Sequence, residues 1–123
     1  MDLDSISKLD DSMLQNKPAV LAVMKLLQEA MCANSVEHGF WEKERNKPEM
    51  IALMHSELSE ALEALRKPDT ESVIDEGPVA EELADCVIRI MDYCEGFGID
   101  LGHAIWEKYW YNRKRDYKHG KEF

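Results

Sequence analysis

Apolar residues recur along this chain at helical spacing, and no stretch of strand length alternates apolar with polar positions. From Pro18 to about Asn34, the residues Val20, Met24, Leu27 and Met31 form one stripe. Leu21 and Cys32 lie towards a second side, and Ala22, Leu26 and Ala33 towards a third. Pro18 suits a first helical turn, where its missing N–H goes unused. A second helix is predicted from Pro48 to Arg66 and is stopped by Pro68. A third runs from Pro78 to about Glu95 and ends at Gly96 and Gly98, and a fourth runs from an Asp100 cap to about Arg115. Residues 1–17 read as an acidic arm or short helix, and His38-Gly39-Phe40-Trp41 and Pro68 to Gly77 read as loops. Residues 116–123 read as a basic, aromatic tail of the same domain. The expected class is all-α, with a four-helix bundle over residues 18–115. A helix apolar over most of its circumference is buried on more than one face. For so short a chain the expected partner is a second copy, so dimerisation completes the bundle and a homodimer or homotetramer results.

Composition narrows the function classes. A length of 123 residues fits one domain, and 45% apolar residues are too many for a disordered chain. The formal charge of −10 opposes binding to a nucleic-acid polymer, whose affinity comes mainly from Lys and Arg on phosphates. No run approaches the ~20 apolar residues of a membrane span. The start, Met1-Asp2-Leu3-Asp4, lacks the positive region of a secretory signal. Cys32, Cys86 and Cys94 are odd in number and form no CxxC pair, which points to reduced thiols in a cytoplasmic protein.

The informative acids lie on the second and third helices. Ile51, Met54, Leu58, Ala61, Leu62 and Leu65 share one broad side of the second helix, widened by Leu53 and Ala64. Glu57 falls inside that arc and Glu60 at its edge. A carboxylate in an apolar stripe costs several kcal/mol, roughly, unless a partner offsets its desolvation. On the third helix Glu82, Asp85, Arg89 and Asp92 line a narrow strip between Ile88 and the apolar side formed by Leu83, Cys86, Val87, Ile90, Met91, Tyr93 and Cys94. The chain thus reads Glu57-x-x-Glu60, 21 residues, then Glu82-x-x-Asp85. If the two helices pack antiparallel, the pairs converge. Four hard oxygen ligands suit Mg²⁺ or Mn²⁺ rather than Zn²⁺. No Glu-x-x-His occurs, which disfavours a di-iron site. The competing account is ordinary solvated or salt-bridged acids.

Charge is uneven along the chain. From Lys108 to Lys121 there are six basic residues and one acid, Asp116, so this stretch carries +5 and the remainder −15. Cations favour a helix C-terminus, which covers Arg113 to Arg115. It leaves unexplained Lys108 and Asn112, one turn apart, and the interleaved Tyr109, Trp110, Tyr111 and Tyr117. A phosphate-binding face beside a metal site would use this mixture, since divalent ions bridge carboxylates and substrate phosphates. The two features together point to a polyphosphate. Trp41 is a candidate for stacking on a base, and Phe40 reads more readily as a cap on the core.

The run Glu57-Leu-Ser-Glu60-Ala-Leu-Glu63-Ala with Glu82-x-x-Asp85 resembles the MazG-like all-α nucleoside triphosphate pyrophosphohydrolases, whose signature is ExxE, a variable gap, then ExxD. The stretch Glu107-Lys108-x-x-x-Asn112-Arg113-x-Arg115-x-Tyr117-Lys118-His119-Gly120 is similar to the ends of short MazG-like chains. The likeness covers about residues 18 to 121. It implies cleavage of a (deoxy)nucleoside triphosphate between the α- and β-phosphates. Glu57, Glu60, Glu82 and Asp85 would hold Mg²⁺, and Glu57 or Glu60 would orient the attacking water. Lys108, Asn112, Arg113 and Tyr117 would hold phosphates, with Trp41 and His38 at the base. The alternatives are a pyrophosphohydrolase acting on phosphoribosyl-ATP and a non-catalytic helical dimerisation module. Arg89, a cation within the acidic strip, fits either a structural ion pair or a phosphate contact.

Overall fold

Caps and prolines set the helix boundaries in a computed structural model that describes residues 2–122. The Asp2 carboxylate accepts the Ser5 N–H at 2.8 Å and opens α1, Leu3–Gln15. Helix α2, Lys17–Glu37, follows after Asn16. The Asn46 side chain accepts the Glu49 N–H at 2.9 Å, and Pro48 sits in the first turn of α3, Lys47–Arg66. Pro78 opens α4, Pro78–Gly96. Asp100 accepts the His103 N–H at 3.0 Å and opens α5, Leu101–Arg113. A short 3₁₀ turn, Tyr117–Gly120, follows. Each cap satisfies an N–H that has no partner inside its own helix. The chain is all-helical, with five α-helices and no strand among the described residues. The acidic start, expected as an arm or short helix, is a helix of 13 residues.

Chain contacts define two compact units, one of Gln28–Ile99 and one of Met1–Leu27 with Asp100–Phe123. In the Gln28–Ile99 unit, α3 packs on α4. Glu60, late in α3, interacts with Glu82, early in α4, while the Cys86 thiol reaches back to the Met54 carbonyl at 3.5 Å. That order is antiparallel, as the 57–85 spacing requires. Met50, Met54, Ala61, Ala64, Cys86, Met91 and Cys94 are buried here. The last turns of α2 join through Gln28, whose amide donates to Glu95 at 2.8 Å and to the Ile99 carbonyl at 2.7 Å. The acidic loop is tied to α4 by the Ser72 hydroxyl and the Val73 N–H, both donating to Glu81.

In the other unit Trp106 is buried, with the Lys17 ammonium 5.3 Å from its ring centre. Gly102 brings α5 against α2, because a Cβ there would lie 2.8 Å from that of Met24. Asp10 on α1 accepts from the Tyr109 hydroxyl and from Arg113 Nε at 2.7 Å. The Tyr109 hydrogen bond, with the Arg113 hydrogen bond and charge, holds the Asp10 carboxyl below its ordinary pKa.

Much apolar surface stays uncovered. On α3 the residues Ile51, Leu58, Leu62 and Leu65 form a stripe adjoining the buried one, and each is 41–67% exposed. On α2, Val23, Leu26 and Leu27 are likewise exposed. By length and composition α2 is apolar enough to cross a bilayer, and 11% of its apolar window is buried. This corrects the expectation that no segment reaches that threshold. Ala, Val, Leu and Met residues offset the scattered polar ones in α2, so hydropathy over the whole helix exceeds what any uninterrupted apolar run suggests.

Gly96 is fixed by close approach. A Cβ there would lie 2.1 Å from the Trp41 ring, well inside contact distance. Gly96→Ala is expected to lower stability by about 1–3 kcal/mol through overpacking. A urea titration checks this, and an unchanged midpoint would contradict the packing described.

Candidate functional site

The sharpest cluster of ionisable groups lies on the facing sides of α3 and α4. Glu57, Glu82 and Asp85 each offer a carboxylate oxygen, and the three oxygens lie within 4.8 Å of one another. Glu60 adjoins them through contacts with Glu57 and Glu82. The structure therefore brings together all four acids expected from the spacing, with Glu57, Glu82 and Asp85 tightest and Glu60 at the exposed edge.

Glu57 is buried at 5% exposure, and Arg89 Nε donates to its Oε1 at 2.6 Å. Burial pushes Glu57 up, but the Arg89 hydrogen bond and charge, with hydrogen bonds from Glu60 and Glu82, hold it below the usual glutamate value. The other three shift upward. Glu60 is raised by its hydrogen bond and charge repulsion with Glu57. Glu82 is pushed up to about 7 by desolvation, by its hydrogen bond to Glu57 and by the charges of Glu60, Glu57 and Asp85. Asp85 is raised by desolvation and by the charges of Glu57 and Glu81. Four carboxylates thus share a single guanidinium, and the upward shifts of Glu60, Glu82 and Asp85 reflect that shortage of positive charge. A cluster in that condition fits a divalent cation, and its all-oxygen donors fit Mg²⁺ or Mn²⁺.

A cavity of about 330 Å³ opens beside this cluster. Glu57, Asp85 and Arg89 contribute to its wall, as do Ser35, His38 and Phe40. His38 Nδ1 donates to the Asn34 carbonyl at 2.8 Å, so in the neutral ring Nε2 keeps its lone pair for an external donor. Asp92 anchors the inner side of the cavity. It is 7% exposed and accepts from the Ser35 hydroxyl, Trp41 Nε1 and Arg45 Nη1, each at 2.8 Å. Arg45 also lies over Trp41, 5.1 Å from its ring centre.

The two neighbouring aromatics are placed differently. Trp41 does not line the cavity. Its N–H is spent on Asp92 and its ring packs edge-on against Phe97 at 5.5 Å and over Gly96. Phe40, expected to cap the core, is 64% exposed and lines the cavity with His38. Trp41 turns inward through partners on and after α4, Asp92, Gly96 and Phe97, which are distant in sequence and leave no composition signal. Arg45 and Ser35 were missed for a similar reason, because an arginine in a polar loop and a serine late in a helix look like surface residues until Asp92 meets them.

Lys108, Asn112, Arg113 and Tyr117 belong to the unit of α1 and α5. Arg113 is engaged by Asp10 through Nε at 2.7 Å and Nη2 at 2.6 Å, which ties one edge of its guanidinium to α1. Lys108 lies 4.4 Å from the Tyr111 ring centre. Asn112 Oδ1 is buried without a hydrogen-bond partner, and Tyr117 is 88% exposed. All three cysteines are free, and Cys32 is pushed up to about 11 by burial and by Asp92, which keeps it a neutral thiol.

Compared with known proteins, the chain matches no family model, no curated protein and no solved structure. The site is therefore read from its own geometry.

Asp92→Ala would leave Arg45 as a buried, unpaired cation and free the Trp41 and Ser35 donors. A loss of about 3–5 kcal/mol is expected. Denaturant unfolding measures it, and a loss under 1 kcal/mol would remove Asp92 from this supporting role.

Proposed function

We propose that this chain is a MazG-like, Mg²⁺-dependent nucleotide pyrophosphohydrolase that converts a (deoxy)nucleoside triphosphate to the monophosphate and pyrophosphate. The observation that carries the reading is the convergence of Glu57, Glu82 and Asp85 within 4.8 Å beside a cavity large enough to admit part of a nucleotide. Glu57, Glu82 and Asp85 would hold the metal, with Glu60 as a further oxygen donor at the edge. Bound there, the ion would neutralise developing phosphate charge and acidify a coordinated water. Glu57 or Glu60 orients the attacking water and takes its proton. Phosphoryl chemistry of this kind relies on positioning and charge neutralisation and needs no nucleophilic side chain. Phe40 offers a ring face to a base and His38 Nε2 accepts a base N–H. By the resemblance, Lys108, Asn112, Arg113 and Tyr117 would supply phosphate contacts.

A second copy of the chain covers the Ile51, Leu58, Leu62 and Leu65 stripe in this reading. Leucines at i, i+4 and i+7 match helix-to-helix packing between subunits. Exposed apolar patches of several hundred Å² mark interaction surfaces on soluble proteins.

Pyrophosphate release is expected from at least one member of an NTP and dNTP panel with Mg²⁺. Glu60→Gln and Asp85→Asn should each lower kcat/KM about 100-fold or more while the circular dichroism spectrum is kept. Turnover of phosphoribosyl-ATP alone would redirect the assignment to that related activity. Folded protein with no turnover and no Mg²⁺-dependent rise in melting temperature would leave a helical dimerisation module. Leu62→Glu is expected to shift sedimentation towards monomer, and an already monomeric wild type would exclude the oligomer.

A further inference from the structure

Arg89 does more than neutralise Glu57. Its Nε makes the 2.6 Å bond to that carboxylate, yet Nη1 and Nη2 have no hydrogen-bond partner among the described residues. The Glu57 side chain is 7% exposed and that of Arg89 39% exposed. A purely structural counter-ion to a buried acid would be enclosed with it. Arg89 instead lines the cavity beside the carboxylate cluster. The other arginine of that wall, Arg45, is held by Asp92 at 2.8 Å and by the Trp41 ring. The Arg45 side chain is 15% exposed with one terminal nitrogen bound, so Arg89 is the more open of the two and the one with both terminal nitrogens unspent among the described residues.

A guanidinium suits two simultaneous duties because its donors lie in one rigid plane, with one edge on each partner. Nε serves Glu57, and the terminal nitrogens serve an anion in the cavity. Neutralising the carboxylate cluster would also weaken the Coulomb attraction that draws Arg89 towards Glu57.

We infer that Arg89 is a substrate-binding residue whose terminal N–H groups donate to non-bridging oxygens of a pyrophosphate or polyphosphate group held against the Glu57–Glu82–Asp85 cluster. This inference rests on the pyrophosphohydrolase reading, and it names Arg89 as the phosphate contact on the carboxylate side of the site.

The test is titration calorimetry on wild type, Arg89→Lys and Arg89→Gln with three probes: Mn²⁺ alone, inorganic pyrophosphate with Mn²⁺, and an α,β-methylene dNTP panel with Mn²⁺. A lysine can keep one ion pair with Glu57 but cannot span both partners. Mn²⁺ affinity in Arg89→Lys should stay within about 3-fold of wild type, while pyrophosphate and analogue affinities fall about 10- to 100-fold. Wild-type pyrophosphate affinity in Arg89→Lys would overturn the inference and leave the functional reading standing if wild type binds an analogue. Parallel losses of Mn²⁺ and pyrophosphate affinity in both variants would also overturn it, since Arg89 would then act only through Glu57. If wild type binds pyrophosphate but no nucleotide, and Arg89→Lys loses the pyrophosphate, the inference stands and the nucleotide reading falls. If wild type binds neither anion, both fall.

Discussion

One buried carboxylate organises the α3–α4 interface. Glu57 sits where α3 meets α4, at 5% exposure, a position that an apolar residue would fill at no electrostatic cost. Desolvating a lone carboxylate there costs several kcal/mol, roughly, so the packing of the two helices is acceptable only with a cation at hand. Arg89 supplies it in the free protein. The same requirement explains why Glu82 and Asp85 hold their protons more tightly than ordinary acids, since one guanidinium is too little positive charge for four carboxylates. Such a deficit costs the helix interface stability, and in the proposed reading a divalent cation offsets it.

A second buried carboxylate solves the opposite problem. Asp92 is saturated by Ser35, Trp41 and Arg45, which arrive from α2 and from the 38–46 loop. Its three donors draw that loop onto α4, and Gly96 leaves the room that the Trp41 ring needs. Satisfaction of Asp92 thereby sets one wall of the cavity, and the deficit around Glu57 sets the other. The two acids lie on α3 and α4 and are both buried, and they differ in the number of donors each meets.

Helix positions were legible because their causes are local. Pro48, Pro78 and Asp100 act within one turn, and the structure places a cap or first turn at each, while the Asn46 cap emerged only from the structure. Only the helical character of residues 3–15 was underestimated, since the contacts that hold α1, from Asp10 to Tyr109 and Arg113, span about a hundred positions. Among site residues, the four acids were legible as a pair of i, i+3 spacings that interrupt apolar arcs. Phe40, Ser35 and Arg45 were not, because each gains meaning only from a residue distant in sequence.

The order of residues alone determined the all-helical class, the breaks at proline and glycine, and the fact that Glu57 faces an apolar side. Helical period and proline geometry act over a few residues and need no knowledge of what packs where. The tertiary structure decided which aromatic turns inward, that Arg113 answers Asp10, and that Arg89 serves Glu57 while keeping donors to spare. Those outcomes depend on competition among charges for the nearest partner, and nearness between distant residues is created only when the helices pack.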